Sequence, residues 1–419
     1  MKRGCPRTIG GIALGACLLA ASCVSQSLGP AQPNALQDVT DGGVSDFYAW
    51  NGNVPEAPGV LLRREPLPEV LGLPGAATAE RILYTSTSGI DGKTAIIVSG
   101  ALFTPEGEPP AEGWPVVSWG HGTVGVADVC APSWSGRPWR DVTYLSAWLA
   151  EGFAIVASDY EGLGTPGRHP YLVTRSAGQP LLDAARAVVG DGSGLRNQVV
   201  LVGQSQGGGA VVTAAGLAAD YAPDLNVIGT VATGAGLIDI QSARAFAEMA
   251  GPVGDPDPTT AYALLIALGL EILPEPVAAE AVLSDGAKRL LNQAKVRCID
   301  GLEYDAYMAG LRWATSVSPE GWDVIAQHQA GLNAPFSGYR APVFLGSGET
   351  DIDVPLPAQT ALAGMICQSG ASVQHHIYQG LDHSGAVNAS LKDSVPFVRQ
   401  LMSGQIPADT CQPVAPASE

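Results

Sequence analysis

The chain has 419 residues, of which 46% are hydrophobic and 15% charged, and its 40 acidic and 22 basic residues give a formal net charge of −18. The apolar fraction is sufficient for a large folded core, and the glycines follow no period, so disordered and collagen-like proteins are excluded. A negative charge without a basic run argues against nucleic acid or anionic lipid as a partner.

The first 22 residues are typical of an export signal. Three basic residues precede an apolar stretch, 9–21, that is too short to cross a bilayer. Residues 19–23, Leu-Ala-Ala-Ser-Cys, resemble a bacterial lipobox, although the leucine lies one place further from the cysteine than usual. Two outcomes stay open: lipidation of Cys23, which would give a surface lipoprotein, or ordinary cleavage nearby and secretion.

Composition divides the remaining chain into four parts. Residues 23–45 are rich in Gln, Ser, Gly and Pro and are expected to form a tether. Residues 46–236 and 323–419 alternate short apolar runs with Ala-rich segments, which predicts an α/β fold with a mostly parallel sheet covered by helices on both faces. Residues 237–322 contain only helix-like segments and are expected to form a cap or lid inserted between two strands.

The predicted strands, in chain order, are 81–86, 94–103, 115–119, 153–158, 198–202, 227–232, 342–345 and 373–378. The predicted helices outside the cap are 179–189, 208–219, 357–367 and 386–402.

Residues 203–207, Gly-Gln-Ser-Gln-Gly, carry the strongest chemical signal. They lie between a predicted strand and a predicted helix, the sharp turn that exposes a nucleophilic serine, here Ser205. A helix that begins after Ser205 would direct the backbone N–H of Gln206 at the negative charge of an attacked carbonyl. The strand–turn–helix context favours this interpretation over an ordinary glycine-rich turn.

The partners of this serine are expected after later strands, in the order acid then histidine. Asp351 follows strand 342–345 and His383 follows strand 373–378, so that His383 would accept the serine proton and Asp351 would orient its imidazole. Asp353 and Glu349 are alternatives for the acid, but the spacing Asp-x-x-Val-Pro favours Asp351. The two aspartates do not complete a calcium loop, and no metal or cofactor is expected.

A second oxyanion donor is expected after strand 115–119, where the chain reads Gly-His-Gly-Thr. We assign it to the N–H of Thr123, with Gly122 as the alternative. Within the predicted cap, the apolar run 261–270 is expected to hold an acyl chain, which predicts short- to medium-chain substrates.

Together these segments resemble the secretory lipase family of α/β-hydrolases, the group that contains fungal lipase A. The resemblance covers most of residues 80–411 and implies a helical cap and hydrolysis of carboxylic esters, including acylglycerols, through an acyl-serine intermediate, here in an exported bacterial member. The fungal members lack His-Gly-Thr at the oxyanion loop. The resemblance rests on Gly120-His-Gly-Thr-Val-Gly125, Cys130-Ala-Pro-Ser133, Ser158-Asp-Tyr-Glu-Gly162, Gly203-Gln-Ser-Gln-Gly-Gly208, Asp351-Ile-Asp-Val-Pro355 and Asp382-His383.

Lipidation of Cys23 would leave four cysteines after the signal, which allow three ways of forming two disulfides. The family resemblance favours Cys130–Cys298 and Cys367–Cys411.

The sequence thus predicts an exported lipase or carboxylesterase that acts on a small ester or lipid. It would touch a membrane only through an anchor at Cys23 or through the cap. A serine peptidase or amidase of the same fold is one alternative. A catalytically inactive surface lipoprotein used for binding is the other.

Overall fold

A computed structural model of the protein describes residues 43–411 except 191, 193 and 336, so the predicted signal, Cys23 and most of the tether lie outside the described residues. The described part is built on one nine-stranded sheet. Its strands are β1 (Leu61–Pro66), β2 (Ala76–Thr87), β3 (Ala95–Pro105), β4 (Trp114–Gly120), β5 (Ala154–Ser158), β6 (Leu195–Gln204), β7 (Val227–Thr233), β8 (Val343–Gly348) and β9 (Val373–Tyr378).

The strands lie in the order β1-β2-β3-β5-β4-β6-β7-β8-β9. The first three are antiparallel, and β3 is antiparallel to β5. Every pairing from β5 to β9 is parallel, which requires a crossover segment between consecutive strands. The predicted mostly parallel sheet is therefore confirmed.

The crossovers are helical. The helices are α1 (Pro132–Ser135), α2 (Trp139–Ala150), α3 (Thr174–Val189), α4 (Gln206–Tyr221), α5 (Ile240–Ala250), α6 (Ala261–Leu270), α7 (Ala279–Val282), α8 (Asp285–Lys288), α9 (Leu291–Ala294), α10 (Ile299–Met308), α11 (Trp313–Ser316), α12 (Pro319–Leu332), α13 (Leu356–Gln368), α14 (Gly385–Ala389) and α15 (Leu391–Met402). Short 3₁₀ turns occupy Asp46–Tyr48, Glu69–Leu71, Asp128–Cys130 and Pro258–Thr260. Among the described residues, none of these helices is long and apolar enough to cross a lipid bilayer.

Both faces of the sheet are buried. Successive residues of a strand point to opposite faces, so Val199 and Leu201 of β6 pack against α3 and α4, whereas Val200 and Val202 pack with α2 and α15. This double burial explains why the parallel strands read as uninterrupted apolar runs in the sequence.

The helices α5–α12 between β7 and β8 enclose an apolar cluster of their own, and we call them the cap. The last of them, α12, continues to Leu332, beyond the predicted end of the block at residue 322. Leu265 and Leu268 of α6 are fully buried in this cluster. These side chains therefore stabilise the cap and do not line the acyl channel that we expected along residues 261–270.

Two disulfides join distant parts of the chain, and they are the pairs that the resemblance implied. Cys130–Cys298 links the segment after β4 to the residue that precedes α10. Cys367–Cys411 fastens the C-terminal segment to α13. The backbone N–H of Ile299 also donates to the Val124 carbonyl at 2.9 Å, so the cap is held to the segment after β4 by both contacts.

Outside the cap, strand β1 and helices α1 and α2 were not predicted, and one predicted helix is divided. Strand β1 has the sequence Leu-Leu-Arg-Arg-Glu-Pro and lies at an edge of the sheet, where charged residues are tolerated because one side faces solvent. Helix α2 was also missed. The predicted helix 386–402 is interrupted at Ser390, which separates α14 from α15.

Candidate active site

Ser205 occupies a sharp turn between β6 and α4. Its backbone has φ 57° and ψ −121°, a conformation that residues other than glycine rarely adopt. The turn requires glycine on both sides: a Cβ on Gly203 would lie 2.2 Å from the Gly207 carbonyl oxygen, and a Cβ on Gly207 would lie 2.0 Å from the Gly120 carbonyl oxygen. Ser205 is thereby held at the end of β6, directly beside the end of β4.

The structure brings Asp351 and His383 together after β8 and β9. The Asp351 carboxylate is buried and accepts four hydrogen bonds: Oδ2 from His383 Nδ1 (2.7 Å) and Gln359 Nε2 (2.9 Å), and Oδ1 from the backbone N–H groups of Asp353 (3.0 Å) and Val354 (2.9 Å). A carboxylate held in this way keeps the proton of a neutral imidazole on Nδ1 and leaves a lone pair on Nε2.

His383 lies against the serine turn. A Cβ on Gly234 would lie 2.7 Å from His383 Cε1, and the preceding residue, Thr233, accepts a 2.8 Å hydrogen bond from the Ser205 backbone N–H. In the part of the chain that the structure describes, Ser205 Oγ makes no hydrogen bond to His383. The partner of His383 Nε2 is instead the side-chain nitrogen Nε2 of Gln204, at 2.9 Å.

Gln204 and its second partner, Arg140, were not predicted as site residues. An Arg140 Nη2–H donates to Gln204 Oε1 at 2.9 Å, and Arg140 also contacts Asp141 and Ser384. Gln204 stands next to Ser205 within the Gly-Gln-Ser-Gln-Gly motif, so the motif itself contained the signal. Arg140 lies on α2 and no local pattern connects it with the motif.

The predicted oxyanion donors lie beside the serine. A Cβ on Gly122 would be 3.5 Å from Ser205 Cβ, and the side chain of Thr123 turns to Tyr171, with 2.7 Å between the two hydroxyl oxygens. Among the described residues, the N–H groups of Gly122 and Thr123 have no acceptor. Gln206 is the first residue of α4, where backbone N–H groups have no partner within the helix. The oxyanion role of these three N–H groups stays a prediction.

The side chain of Gln206 is anchored by His169, which was not predicted as a site residue. Gln206 Nε2 lies 2.7 Å from His169 Nε2, and His169 Nδ1 lies 2.8 Å from the Glu161 carbonyl oxygen. Burial lowers the pKa of His169 to about 4, so the ring is neutral at pH 7. It therefore donates from Nδ1 to Glu161 and accepts at Nε2 from Gln206.

Asp353, the alternative acid, faces the cap. Its Oδ1 lies 3.5 Å from the hydroxyl of Tyr262 on α6. Burial raises the pKa of the Asp353 carboxyl; His383 opposes this rise and the charge of Asp351 adds to it. Ligand atoms of Asp351, Asp353 and His383 lie within 4.8 Å of one another, but hydrogen bonds already account for the Asp351 oxygens and the imidazole.

We predict that replacing His169 by Phe, which keeps an aromatic ring but cannot titrate, weakens the pH dependence of the free energy of unfolding. Because the unfolded histidine binds a proton near pH 6.5 and the folded one only near pH 4, protonation favours unfolding between these values. The free energy of unfolding of the wild type should lose about 3 kcal/mol from this residue as the pH falls through that window. Urea unfolding of both proteins at pH 7, 6, 5 and 4 measures the difference. Parallel curves would show that His169 is not held neutral by burial.

Comparison with known proteins finds similarity to secretory lipases. The family model for secretory lipases matches residues 139–249. A secreted triacylglycerol lipase (LIP7) from Malassezia globosa is 28% identical over 284 residues, which are 64% of this chain and 58% of that protein. A probable inactive lipase from Mycobacterium tuberculosis is 29% identical over 188 residues, 42% of this chain and 41% of that protein.

The fold also matches a solved structure. Candida antarctica lipase A superposes with a TM-score of 0.71 over 89% of both chains, at 22% identity. The alignment with LIP7 spans less than two thirds of that protein. The matched segment contains Ser205, its turn and the helices on either side. The chain is therefore similar to secretory lipases over this segment, and its fold is similar to that of Candida antarctica lipase A.

Proposed function

We propose that the protein is an exported serine hydrolase that cleaves carboxylic esters. The observation that supports this most directly is the 2.7 Å contact between Asp351 Oδ2 and His383 Nδ1, placed beside the strained turn of Ser205. An oriented imidazole next to an exposed serine hydroxyl is the arrangement that activates serine as a nucleophile. Relatives named as lipases agree with this chemistry.

In the proposed reaction, Ser205 Oγ attacks the ester carbonyl carbon while His383 Nε2 accepts the hydroxyl proton. The carbonyl oxygen becomes an oxyanion, which the N–H groups of Gln206 and of Thr123 or Gly122 stabilise. The C–O bond to the alcohol then breaks, and the imidazolium returns the proton to the departing oxygen. Water repeats the sequence on the acyl-serine and releases the acid.

Export is part of the same proposal. The relative from Malassezia globosa is named as secreted. Two disulfides fit an oxidising compartment, where such bonds persist. Lipidation of Cys23, with a lipid anchor as its consequence, stays a prediction from the sequence.

A non-catalytic binding protein is the second candidate, because one relative is named as a probable inactive lipase. Labelling of the purified protein by a fluorophosphonate separates the two functions. Covalent labelling of Ser205 supports the hydrolase, whereas an unlabelled folded protein would support the binding protein.

We predict that Ser205→Ala and His383→Ala each lower the hydrolysis rate of a p-nitrophenyl ester by about 10⁴- to 10⁶-fold. The double variant should lose little more, because the two residues act as one unit. Asp351→Asn should cost less than either change. Asp353→Asn is the matched control and should keep near-native activity, because Asp353 faces Tyr262. A larger loss in Asp353→Asn than in Asp351→Asn would show that the acid is assigned wrongly.

The site is expected to prefer short- to medium-chain acyl groups because two tyrosines cover it. Tyr171 contacts Thr123 of the oxyanion loop, and Tyr262 contacts Asp353 beyond the acid. Tyr171 is buried and Tyr262 is half-buried. They therefore limit the space between the cap and Ser205.

We predict that Tyr262→Ala favours longer acyl chains. Space for about two more methylenes, at about 0.8 kcal/mol each, should raise the ratio of the decanoate to the butyrate rate roughly tenfold. The ratio cancels general effects on folding. Tyr262→Phe keeps the ring and should keep the wild-type ratio. If Tyr262→Ala leaves the ratio unchanged, the acyl chain does not pass this side chain.

The cap also exposes apolar side chains, which supports its proposed contact with a lipid surface. Half of the exposed large hydrophobic side chains of the described residues lie in the cap. Phe246, Met249 and Val253 lie on and just after α5, whereas Tyr304, Tyr307 and Met308 lie on one face of α10. Arg312 donates to the carbonyls of residues 250, 251 and 255 and so holds the segment after α5 near the end of α10. We call these six side chains the cap patch.

We predict that the double variant Met249→Ser with Met308→Ser lowers the hydrolysis rate on a tributyrin emulsion by about tenfold. The reason is that the variant buries less apolar surface when it binds to the lipid interface. The rate on dissolved p-nitrophenyl acetate should stay unchanged. Val70→Ser with Ile406→Ser removes similarly exposed side chains outside the cap and should keep the emulsion rate. Equal losses in the two double variants would contradict a role for the cap patch.

A further inference from the structure

The side chain of Gln204 occupies a position that the proposed chemistry does not explain. It is buried, and its amide lies between the oxyanion loop and the base. A Cβ on Gly122 would lie 2.5 Å from Gln204 Oε1, and Gln204 Nε2 lies 2.9 Å from His383 Nε2. Gln204 therefore contacts the nitrogen that must receive the proton of Ser205.

The orientation of this amide is fixed by Arg140. A guanidinium group only donates hydrogen bonds, so the atom of Gln204 that faces Arg140 at 2.9 Å must be the oxygen. The amide N–H groups must then face His383. Arg140 is itself held by Asp141 (2.7 Å), and Asn388 Nδ2 donates to the Arg140 carbonyl at 3.1 Å. The direction in which Gln204 donates is therefore determined by α2 and α14.

This direction matters for the charge of the base. Two carboxylates face the imidazole, because Asp351 Oδ2 accepts from His383 Nδ1 and Asp353 lies nearby. A protonated Nε2 would point an N–H at the N–H of Gln204, and Arg140 adds a positive charge behind the amide. These contacts oppose the charged ring and favour the neutral one, whose lone pair accepts from Gln204.

We propose that Gln204, oriented by Arg140, is a positioning residue that keeps His383 uncharged, with its Nε2 lone pair beside Ser205, in the free enzyme. The proposal rests on the proposed hydrolase function. During attack the serine hydroxyl takes the place of the amide as the donor to Nε2.

The test is the pH dependence of kcat/KM on a dissolved p-nitrophenyl ester, whose acid limb reports the essential base of the free enzyme. Gln204→Met keeps the size of the side chain and removes the donor, so the acid limb should move to higher pH by about one unit. Gln204→Glu places a carboxylate there and should move it further. Arg140→Met frees the amide to turn its oxygen towards His383 and should also move the limb upward. Gln374→Met, at the distant end of β9, should leave it unchanged.

An unchanged acid limb in folded Gln204→Met and Gln204→Glu would overturn the proposal, even if the plateau rate falls. Titration of the His383 ring by NMR in the same variants gives a readout that needs no turnover. If the wild-type protein shows no esterase activity, the proposed function is wrong. The ring titration would then still decide the inference, because Gln204 should shift its midpoint in the same order.

Discussion

The close approach of β4 and β6 at their carboxyl ends is the constraint on which the rest of the site depends. Gly207 touches the Gly120 carbonyl so closely that no side chain fits between them. The contact allows the chain to turn at Ser205 with a positive φ, and it places the loop after Gly120 so near the serine that a Cβ on Gly122 would lie 3.5 Å from Ser205 Cβ. Strain in the backbone of Ser205, the proposed nucleophile, is thus supported by packing between two neighbouring strands of the sheet.

The loop that begins at Gly120 also carries the cap. Within a few residues it passes beside Ser205 at Gly122, Thr123 makes a hydrogen bond with Tyr171, and the Val124 carbonyl accepts a hydrogen bond from Ile299 at the start of α10. The Cys130–Cys298 disulfide is a second link between this segment and the cap. Movement of the cap at this point would therefore displace the groups that face the oxyanion, so that cap position and oxyanion geometry are mechanically coupled.

The parts of the molecule that were predictable from sequence are those with a local signature. Strands buried on both faces give apolar runs, and strand ends carry the polar residues of the site, so the sheet and the positions of Ser205, Asp351 and His383 at strand ends followed from pattern alone. Strand β1 lacks such a run because it lies at an edge. Tertiary packing alone brings Arg140, Gln204 and His169 to their partners, which lie 37 to 179 residues away in the chain. Leu265 and Leu268 of the run 261–270 were misread as acyl-channel residues, because the same residue types serve a cap core or an acyl channel equally well.

The two glutamines on either side of Ser205 hold the serine turn in place through neutral side chains, so that no charge is added beside the proposed nucleophile. Gln206 turns towards a histidine that burial keeps neutral, and Gln204 turns towards the proposed base. Both use neutral amides, whereas the carboxylates nearby are enclosed by hydrogen bonds, as at Asp351, or lie against the cap, as at Asp353. An uncompensated negative charge at the turn would repel the oxyanion that the backbone N–H groups must hold. Neutral donors on both sides fix the geometry of the serine turn. The electrostatic field at the turn then comes mainly from the backbone N–H groups of α4 and of the proposed oxyanion loop.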